Sequence, residues 1–284
     1  MSWMNRKIYL LVTATLLGVL LVIAFAASSH AASARASGGG SDNAFANLRH
    51  TPFGTATLTW DPQSENLTVT ISLVGLAGNS THPDHIHVGD CDDNGPILYP
   101  LNNLVANAAG DAQATTVIPE VEGGIPASGW YVNVHNGPTL ATPDEAIPIA
   151  CGNVHNSNTS LNQVQTVETF LGATPDPNQA VSGSATLTLH KETLTVTVTV
   201  HGLVPGSVHP EHIHAGSCQS QLPGTIVYPL NNLVGDQNGN ATSTTVIQNV
   251  KTIPEHGWYV NVHRSTNLTT QTGFDPIACG NVED

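Results

Sequence analysis

The sequence predicts an all-β protein built from two tandem domains, and three observations carry this prediction. Long segments of sequence occur twice, about 128 residues apart, which is too far for one unit of a solenoid but suits a whole domain. Each copy begins with alternating apolar and polar residues rich in β-branched side chains, as in half-buried strands. The 26 glycines and 18 prolines, without sustained helical periodicity beyond the N-terminus, favour short strands joined by turns. We therefore expect two antiparallel Greek-key sandwiches or barrels.

An apolar leader helix is predicted over residues 1–34. Arg6 and Lys7 precede the apolar run from Ile8 to Ala27, and Ala32-Ser-Ala34 offers a small-x-small cleavage site, as in a secretory signal. The run of about 20 residues can also span a bilayer, so an uncleaved membrane anchor is the alternative. Either version places the domains outside the cell or on its surface. Residues 35–42, rich in Gly and Ser, are predicted to be a flexible spacer.

The charge of the chain excludes nucleic acid as a partner. No acidic residue precedes position 42, so removal of the leader leaves 21 acidic residues against 5 basic ones, a net charge of about −16. Binding to phosphates needs clustered Lys and Arg, which this chain lacks. The negative charge favours solubility of an exported protein, and it repels anionic substrates.

The repeat predicts a first domain at 43–155, a linker at 156–165 and a second domain at 166–284. Each domain opens with a hairpin of two alternating strands. The predicted hairpin strands are 55–60 with 67–72 in the first domain and 184–189 with 194–200 in the second. Because each copy has length enough for its own core, a fragment from Thr166 onward is expected to fold by itself.

Four cysteines allow three pairings, and the repeat selects Cys91 with Cys151 and Cys218 with Cys279, each within its own copy. Export makes disulfides favourable on redox grounds. Closing loops of about 60 residues should stabilise each domain by about 4 kcal/mol. Loss of one bridge, as in Cys151→Ser, is then expected to affect its own domain alone. Metal binding by these thiols is the alternative, disfavoured because the paired Cys-x-x-Cys spacing is missing.

The histidines of each copy form a pattern typical of a metal site. The segment from His82 to His87 has the form His-x-x-His-x-His and recurs from His209 to His214. Histidines two residues apart on a strand share a face, and a third can come from the repeated Trp-Tyr-Val-Asn-Val-His segment. Three neutral imidazoles suit copper or zinc, while the lack of a carboxylate cage excludes calcium and magnesium. The predicted ligand sets are His85, His87 and His135 in the first copy and His212, His214 and His263 in the second.

The alternative for any single histidine is a structural role in which the ring hydrogen-bonds loops. His82 and His209 stand before a proline and outside the strand alternation, so we expect them to support the ligands rather than bind metal. Trp130-Tyr131 and the matching Trp258-Tyr259 are interpreted as packing groups. Five histidines do not recur between the copies and are expected at the surface: His50, His155, His190, His201 and His256.

With these residues in hand, the repeat resembles the chordin-type (CHRD) domain of exported microbial proteins, through its His-Ile-His and Tyr-Val-Asn-Val-His segments and its hairpins. The same segments are similar to Cu,Zn superoxide dismutase. The similar residues are His82, His85 and His87 with Gly89, Asp90 and Cys91, then Val134-His135 and Ala150-Cys151-Gly152. The resemblance implies a superoxide-dismutase-like sandwich, copper on the three predicted histidines of each copy, and a structural role for His82 and His209.

The chain also departs from the dismutase pattern. No histidine lies between Cys91 and Trp130, so the bridging and zinc-binding histidines of that enzyme have no counterpart. Pro148 and Pro276 stand where the enzyme has the arginine that attracts superoxide. A strongly negative domain supplies a field opposite to the one that steers an anionic substrate.

These observations together favour an exported or cell-surface protein that binds one copper ion in each domain without fast catalysis, with zinc as the alternative metal. A copper-only superoxide dismutase is the enzymatic alternative. A metal-free adhesion or matrix module, with structural histidines, is the third. The sequence identifies the metal ion as a partner and no protein partner.

Overall fold

The computed structural model describes residues 41–93, 95–176 and 178–284. The predicted leader and residues 35–40 of the spacer lie outside them. Within the described ranges, no helix is long and apolar enough to cross a membrane. The prediction of an all-β fold is confirmed, since this part of the chain holds twenty strands and one helix of four residues.

The elements follow one another in two similar series. In chain order they are β1 (Asp42–Leu48), β2 (Phe53–Asp61), β3 (Asn66–Val74), β4 (Thr81–His82), β5 (Asp84–Val88), β6 (Ile97–Pro100), β7 (Leu104–Val105), β8 (Ala112–Ile118), β9 (Trp130–His135), β10 (Pro148–Val154), β11 (Gln165–Leu171), β12 (Ser182–His190), β13 (Thr193–His201), β14 (Val208–His209), β15 (Glu211–Ala215), β16 (Ile226–Pro229), β17 (Leu233–Val234), β18 (Ala241–Gln248), β19 (Trp258–His263), α1 (Gln271–Phe274) and β20 (Pro276–Glu283).

In the first domain, two four-stranded antiparallel sheets enclose a core. Their strand orders are β11-β2-β3-β8 and β10-β9-β5-β6. The predicted hairpin is formed by β2 and β3, with Thr57 opposite Thr70. Its alternation places Leu58 and Val69 in the core and the threonines outward. Each fully buried aliphatic side chain of this kind contributes about 1.5–3 kcal/mol.

The second domain repeats this arrangement, but its two layers join into one eight-stranded sheet of order β16-β15-β19-β20-β1-β12-β13-β18. The sheets are curled like a half-barrel. Its core is again aliphatic, with Val196, Val198 and Ile213 fully buried. The two predicted disulfides are present, with Cα atoms 5.9 Å apart for Cys91–Cys151 and 5.8 Å apart for Cys218–Cys279.

The sheets cross the boundary expected between the repeats. The strand β1 pairs with β12 along its whole length and with β20, so Ala44, Ala46 and Leu48 are buried in the core of the second domain. The strand β11 pairs with β2 and buries Val167 and Leu171 in the first core. The first domain is therefore contiguous from β2 to β11, while the second consists of β12 to β20 closed by the N-terminal strand.

The equivalence of β1 and β11 explains why the repeat pattern could not show this crossing. Leu48 lies opposite Gly183, and Leu171 lies opposite Gly54, which is the matching position of the first repeat. Arg49 exchanges two backbone hydrogen bonds with Cys279, and Gly172 does the same with Cys151. Both strands satisfy the same alternation and register, so the pattern alone does not select a sheet for either.

The segment expected to be a linker, 156–165, packs on the first domain. Asn156 is buried and donates to the carbonyl of Ile125 at 2.7 Å. Gln165 is fully buried and accepts from the backbone N–H of Ile125 at 2.7 Å. This segment is the ordered connection from β10 to β11 within one domain, and residues 172–181 then lead to β12.

A fragment of residues 178–284, which lacks both β1 and the equivalent strand β11, should not fold cooperatively. It lacks β1, which leaves the edge of β12 unpaired and exposes Ala185 and Leu187. The segment 155–164 connects β10 to β11 in the first domain, so a copy of it can serve as the connection from β20 to β1. A chain of residues 178–284 followed by copies of 155–164 and then 41–49 should regain a sharp melting transition in circular dichroism. Equal transitions for the fragment and the appended chain would contradict the assignment of β1.

The variant Cys151→Ser should destabilise the described chain as one unit. The bridge closes a loop of 60 residues, so its loss removes about 4 kcal/mol of constraint on the unfolded state. The repeat alone predicts an effect on the first domain only. Because β1 closes the second sheet and leads directly into β2, and because Gln221 N–H of the second domain donates to the carbonyl of Ala109 in the first, we instead expect calorimetry to show a single transition at lower temperature. Two transitions, of which only one moves, would show that the domains unfold independently.

Candidate metal centre

The pairing of β5 with β9 builds the first histidine group. His85 lies opposite Asn133, and His87 lies opposite Tyr131, so all four side chains share one face of the sheet. The intervening Ile86 points to the other face and is fully buried in the core. The strand pairing thus fixes the spacing of the two histidines from both sides.

His135 completes this group, which we call site one. It ends β9, and its backbone N–H donates to the carbonyl of Pro83 at 2.9 Å. One ring nitrogen from each of the three histidines lies within 4.8 Å of the other two. The ring centroids are 5.6 Å apart for His85 and His87, 5.2 Å for His85 and His135, and 5.9 Å for His87 and His135.

The second domain carries the same arrangement, which we call site two. The centroid distances are 5.4 Å for His212 and His214, 5.0 Å for His212 and His263, and 5.6 Å for His214 and His263. None of the six histidines is more than 8 % exposed, and His263 is fully buried. Among the described residues, these two groups are the sets of His, Cys, Asp and Glu with metal-ligand spacing.

Backbone carbonyls fix which ring nitrogen faces the centre of site one. His87 Nδ1 donates to the carbonyl of Gly95 at 2.9 Å, and His135 Nδ1 donates to the carbonyl of Ala146 at 2.8 Å. Their Nε2 atoms, together with His85 Nδ1, are buried without a hydrogen-bond partner. In a neutral imidazole the nitrogen opposite the donating N–H carries a free lone pair, so the lone pairs of His87 and His135 converge with the ring of His85.

Site two uses the same nitrogens. His214 Nδ1 donates to Gly224 O at 2.9 Å, and His263 Nδ1 donates to Phe274 O at 2.6 Å. The unpartnered buried atoms are again one Nδ1, on His212, and two Nε2, on His214 and His263. A set of buried imidazole nitrogens that face one another with no donor between them fits a metal ion of the copper or zinc class.

Burial favours the neutral form of His85, His212 and His263. It lowers the pKa of both His85 and His212 to about 4, with the neighbouring histidines of each site as a second cause. It lowers the pKa of His263 to about 3, opposed by the hydrogen bond to Phe274. Neutral imidazole is the form that can bind metal, and these three histidines are in that form at neutral pH.

His82 and His209 lie behind the ligands, where the sequence places them as supporting residues. His82 Nδ1 donates to the carbonyl of His135 at 2.8 Å, and its Nε2 lies 2.7 Å from Ser80 Oγ. The second domain repeats both contacts, from His209 to the carbonyl of His263 and to Ser207 Oγ. Both histidines hold the backbone of a ligand. A serine two residues before each of them is a sequence signal that we missed.

Tyr131 and Tyr259 contribute more than the packing role predicted for them. Tyr131 stacks on His87 with ring centroids 4.9 Å apart, and Tyr259 stacks on His214 at 5.1 Å. The Tyr131 hydroxyl also accepts from the backbone N–H of Gly95, whose carbonyl holds His87. A tyrosine ring therefore fixes the plane of one ligand in each site.

Two groups near the ligands do not join them. Asp84 and Glu211 precede His85 and His212, and their buried side chains lie on the opposite strand face. Burial raises the pKa of Asp84 to about 7 and that of Glu211 to about 8.

One expected surface histidine is placed differently. His50 is half-buried, and its Nε2 lies 3.0 Å from the carbonyl of Ile149. The other four histidines expected at the surface are exposed, namely His155, His190, His201 and His256.

Comparison with known proteins assigns the family. The model of the CHRD domain matches twice, over residues 34–139 and 158–269. A search of curated proteins finds no match. The two matches cover most of the chain, and each includes the three histidines of one site. The chain therefore belongs to the CHRD domain family, of which it carries two tandem copies.

Proposed function

We propose that this chain is an exported or cell-surface protein that holds one copper ion in each CHRD domain and does not turn over a substrate rapidly. The observation that carries the proposal is the convergence of three buried, unpartnered imidazole nitrogens in each domain. His85, His87 and His135 would hold one ion, and His212, His214 and His263 the other.

The energetics of burial favour a metal over purely structural histidines. A buried polar atom without a partner costs about 1–3 kcal/mol, and each site contains three of them. A structural histidine is expected to satisfy both nitrogens, as His82 does with its two contacts. In each domain, one bound ion that accepts the lone pairs of all three unpartnered imidazole nitrogens would explain why they have no hydrogen-bond partner.

The donor set favours copper, with zinc as the alternative. Imidazole nitrogen suits both metals, and copper(II) has the higher intrinsic affinity of the two. Asp84 and Glu211, the acidic residues that directly precede His85 and His212, lie on the opposite strand face. A bound copper ion would supply a Lewis acid with redox capability, while the histidines, their carbonyl partners and the stacked tyrosines would set its environment.

Several features argue for retention rather than rapid dismutation. The chain is strongly negative, which repels an anion such as superoxide. Pro148 and Pro276 occupy the position of the attracting arginine in the dismutase pattern. Arg264 follows a ligand directly, but it is buried and donates to Gln179. A copper-only dismutase stays as the second candidate, because three-histidine coordination leaves further positions for a ligand.

The assignment to the cell exterior is supported by the two disulfides, since such bonds persist in oxidising compartments. The CHRD family assignment is compatible with this location. The leader predicted at 1–34 is the proposed export signal or anchor.

Untagged protein loaded with copper and dialysed should contain two ions per chain by elemental analysis. Each of His87→Ala and His214→Ala should reduce the content to one, and the double variant to none, because two imidazoles alone make a weak site. His190→Ala, an exposed histidine outside both sites, is the matched control and should keep two ions.

Wild-type protein that takes up neither copper nor zinc would overturn the proposal and favour a metal-free adhesion or matrix module. Rapid superoxide consumption by the loaded protein, lost in the double variant, would instead establish the dismutase.

Copper retention should persist well below the pH at which ordinary histidines release metal. Protons compete with copper for the ligand nitrogens, and unperturbed imidazole has a pKa of about 6.5. Because burial lowers the pKa of His85 and His212 to about 4, proton competition at these two histidines begins only as the pH falls toward that value. Equilibrium dialysis between pH 7.5 and 3.5, with circular dichroism to follow folding, measures the release. Loss of half the copper above pH 6 would contradict this expectation.

A further inference from the structure

A segment of the second domain reaches the backbone around site one. We call residues 265–275, which follow His263 and contain α1, the bridging loop. Its residue Gln271 contacts the first domain beside two histidines of that domain. Thr81 directly precedes His82, and Asn136 directly follows the ligand His135.

The amide of Gln271 is fully used in this contact. Its Nε2 donates to the carbonyl of Thr81 at 2.8 Å and to the carbonyl of Asn136 at 2.9 Å. Its Oε1 accepts from the backbone N–H of Thr81 at 3.1 Å. One side chain thus joins the two backbone segments that carry His82 and His135, as a neighbouring strand would.

Asn136 provides a second connection between the bridging loop and the backbone that directly follows His135. Its side chain is fully buried, and its Nδ2 donates to the carbonyl of Thr272 at 3.3 Å and to that of Asp144 at 3.0 Å. The backbone on the C-terminal side of His135 is therefore held by the second domain through both its carbonyl and its side chain.

The same loop also holds site two. The carbonyl of Phe274 accepts from His263 Nδ1, and the Phe274 ring lies 4.8 Å from the ring of His263. Gly273 lets α1 pack closely on its own loop, since a Cβ there would come within 2.1 Å of the Asn267 carbonyl oxygen. Only two residues separate Gln271, which faces site one, from Phe274, which orients a ligand of site two.

The bridge has no reciprocal counterpart in the first repeat. The residue eight positions after His263 is Gln271, whereas the residue eight positions after His135 is Pro143. Proline has no side-chain amide, so it cannot join the backbone beside His209 and His263 in this way. The two sites, alike in their ligands, therefore differ in what supports them.

We propose that Gln271 is a positioning residue for site one, and that the bridging loop couples the two sites so that metal in site two raises the affinity of site one. This inference rests on the proposed metal binding. An ion at site two would fix His263, its Phe274 carbonyl partner and hence α1. Gln271 would then be ordered before site one binds its ion. Binding at site one would therefore not include the conformational entropy cost of ordering this side chain.

Copper(II) titration of the full chain, followed by calorimetry and electron paramagnetic resonance, tests the positioning role. In a His214→Ala background only site one binds, and there Gln271→Ala should weaken binding about tenfold, as loss of ligand-supporting groups commonly does. It should also change the copper resonance of that site. In a His87→Ala background, which leaves site two alone, the same change should alter affinity less than twofold.

Two further variants separate the hydrogen bonds from packing. Gln271→Met keeps a side chain of similar size without the amide, and it should weaken site one as Gln271→Ala does. Thr266→Ala changes an exposed residue of the same loop and should have no effect. Unchanged affinity and resonance of site one in both Gln271 variants would overturn the positioning role.

The coupling has its own measurement, which needs no change at Gln271. Site one should bind copper about fivefold more tightly in the wild type, with site two filled, than in His214→Ala, and Gln271→Met should abolish this difference. Filling site two in His87→Ala should also slow hydrogen exchange of the Thr81 amide, which donates to Gln271. Equal affinities and unchanged exchange would refute the coupling, whereas absence of copper from both sites would refute the proposed function itself.

Discussion

The antiparallel pairing of β5 with β9, repeated by β15 with β19, is the constraint on which the rest of each domain depends. It sets two histidines opposite an asparagine and a tyrosine on one face, and it places Ile86 and Val132 in the core on the other. The disulfide ties the loop after β5 to β10, the other neighbour of β9. A shift of one residue in this register would move the ligands into the core and the aliphatic side chains out of it, so the hydrophobic core itself fixes the site.

Around this pairing, the protein holds the site histidines mainly with backbone atoms. Four carbonyls fix the imidazole tautomers, and His82 and His209 hold the carbonyls of the last ligand in each site. A carbonyl can come from any residue, which explains why the loops that supply them differ in sequence between the repeats. The geometry of such a histidine group depends on the loops around it as much as on the histidines themselves, so the contacts of the bridging loop bear directly on site one.

Sequence reasoning predicted the two three-histidine groups, the disulfides and the strand alternation because each follows from a local rule. Period two puts His85 and His87 on one face, and the duplication restricts the cysteine pairing. The sheet to which β1 belongs could not be predicted from the sequence. Because β1 and β11 satisfy the same register, only the path of the connections determines which sheet each strand joins. Gln271 was missed for the opposite reason. It breaks the repeat, since Pro143 stands at the matching position of the first copy, and its partners are backbone atoms 135 and 190 residues away. Tyr131 was assigned to packing because an aromatic residue in a strand carries no signal of what it stacks on.

The closure of the second domain by β1 also sets an order of events during synthesis. The first domain is contiguous and can be completed once β11 has emerged, in keeping with the tendency of domains to fold one after another from the N-terminus. By contrast, β1 emerges first of all the described strands, yet its partners β12 and β20 are made only later, and β20 ends at Glu283. The strand β1, which carries the exposed Phe45, therefore lacks its partner strands during almost the whole of translation. The first and the last of the described strands meet in one sheet, so a polypeptide truncated before β20 can complete its first domain but not its second.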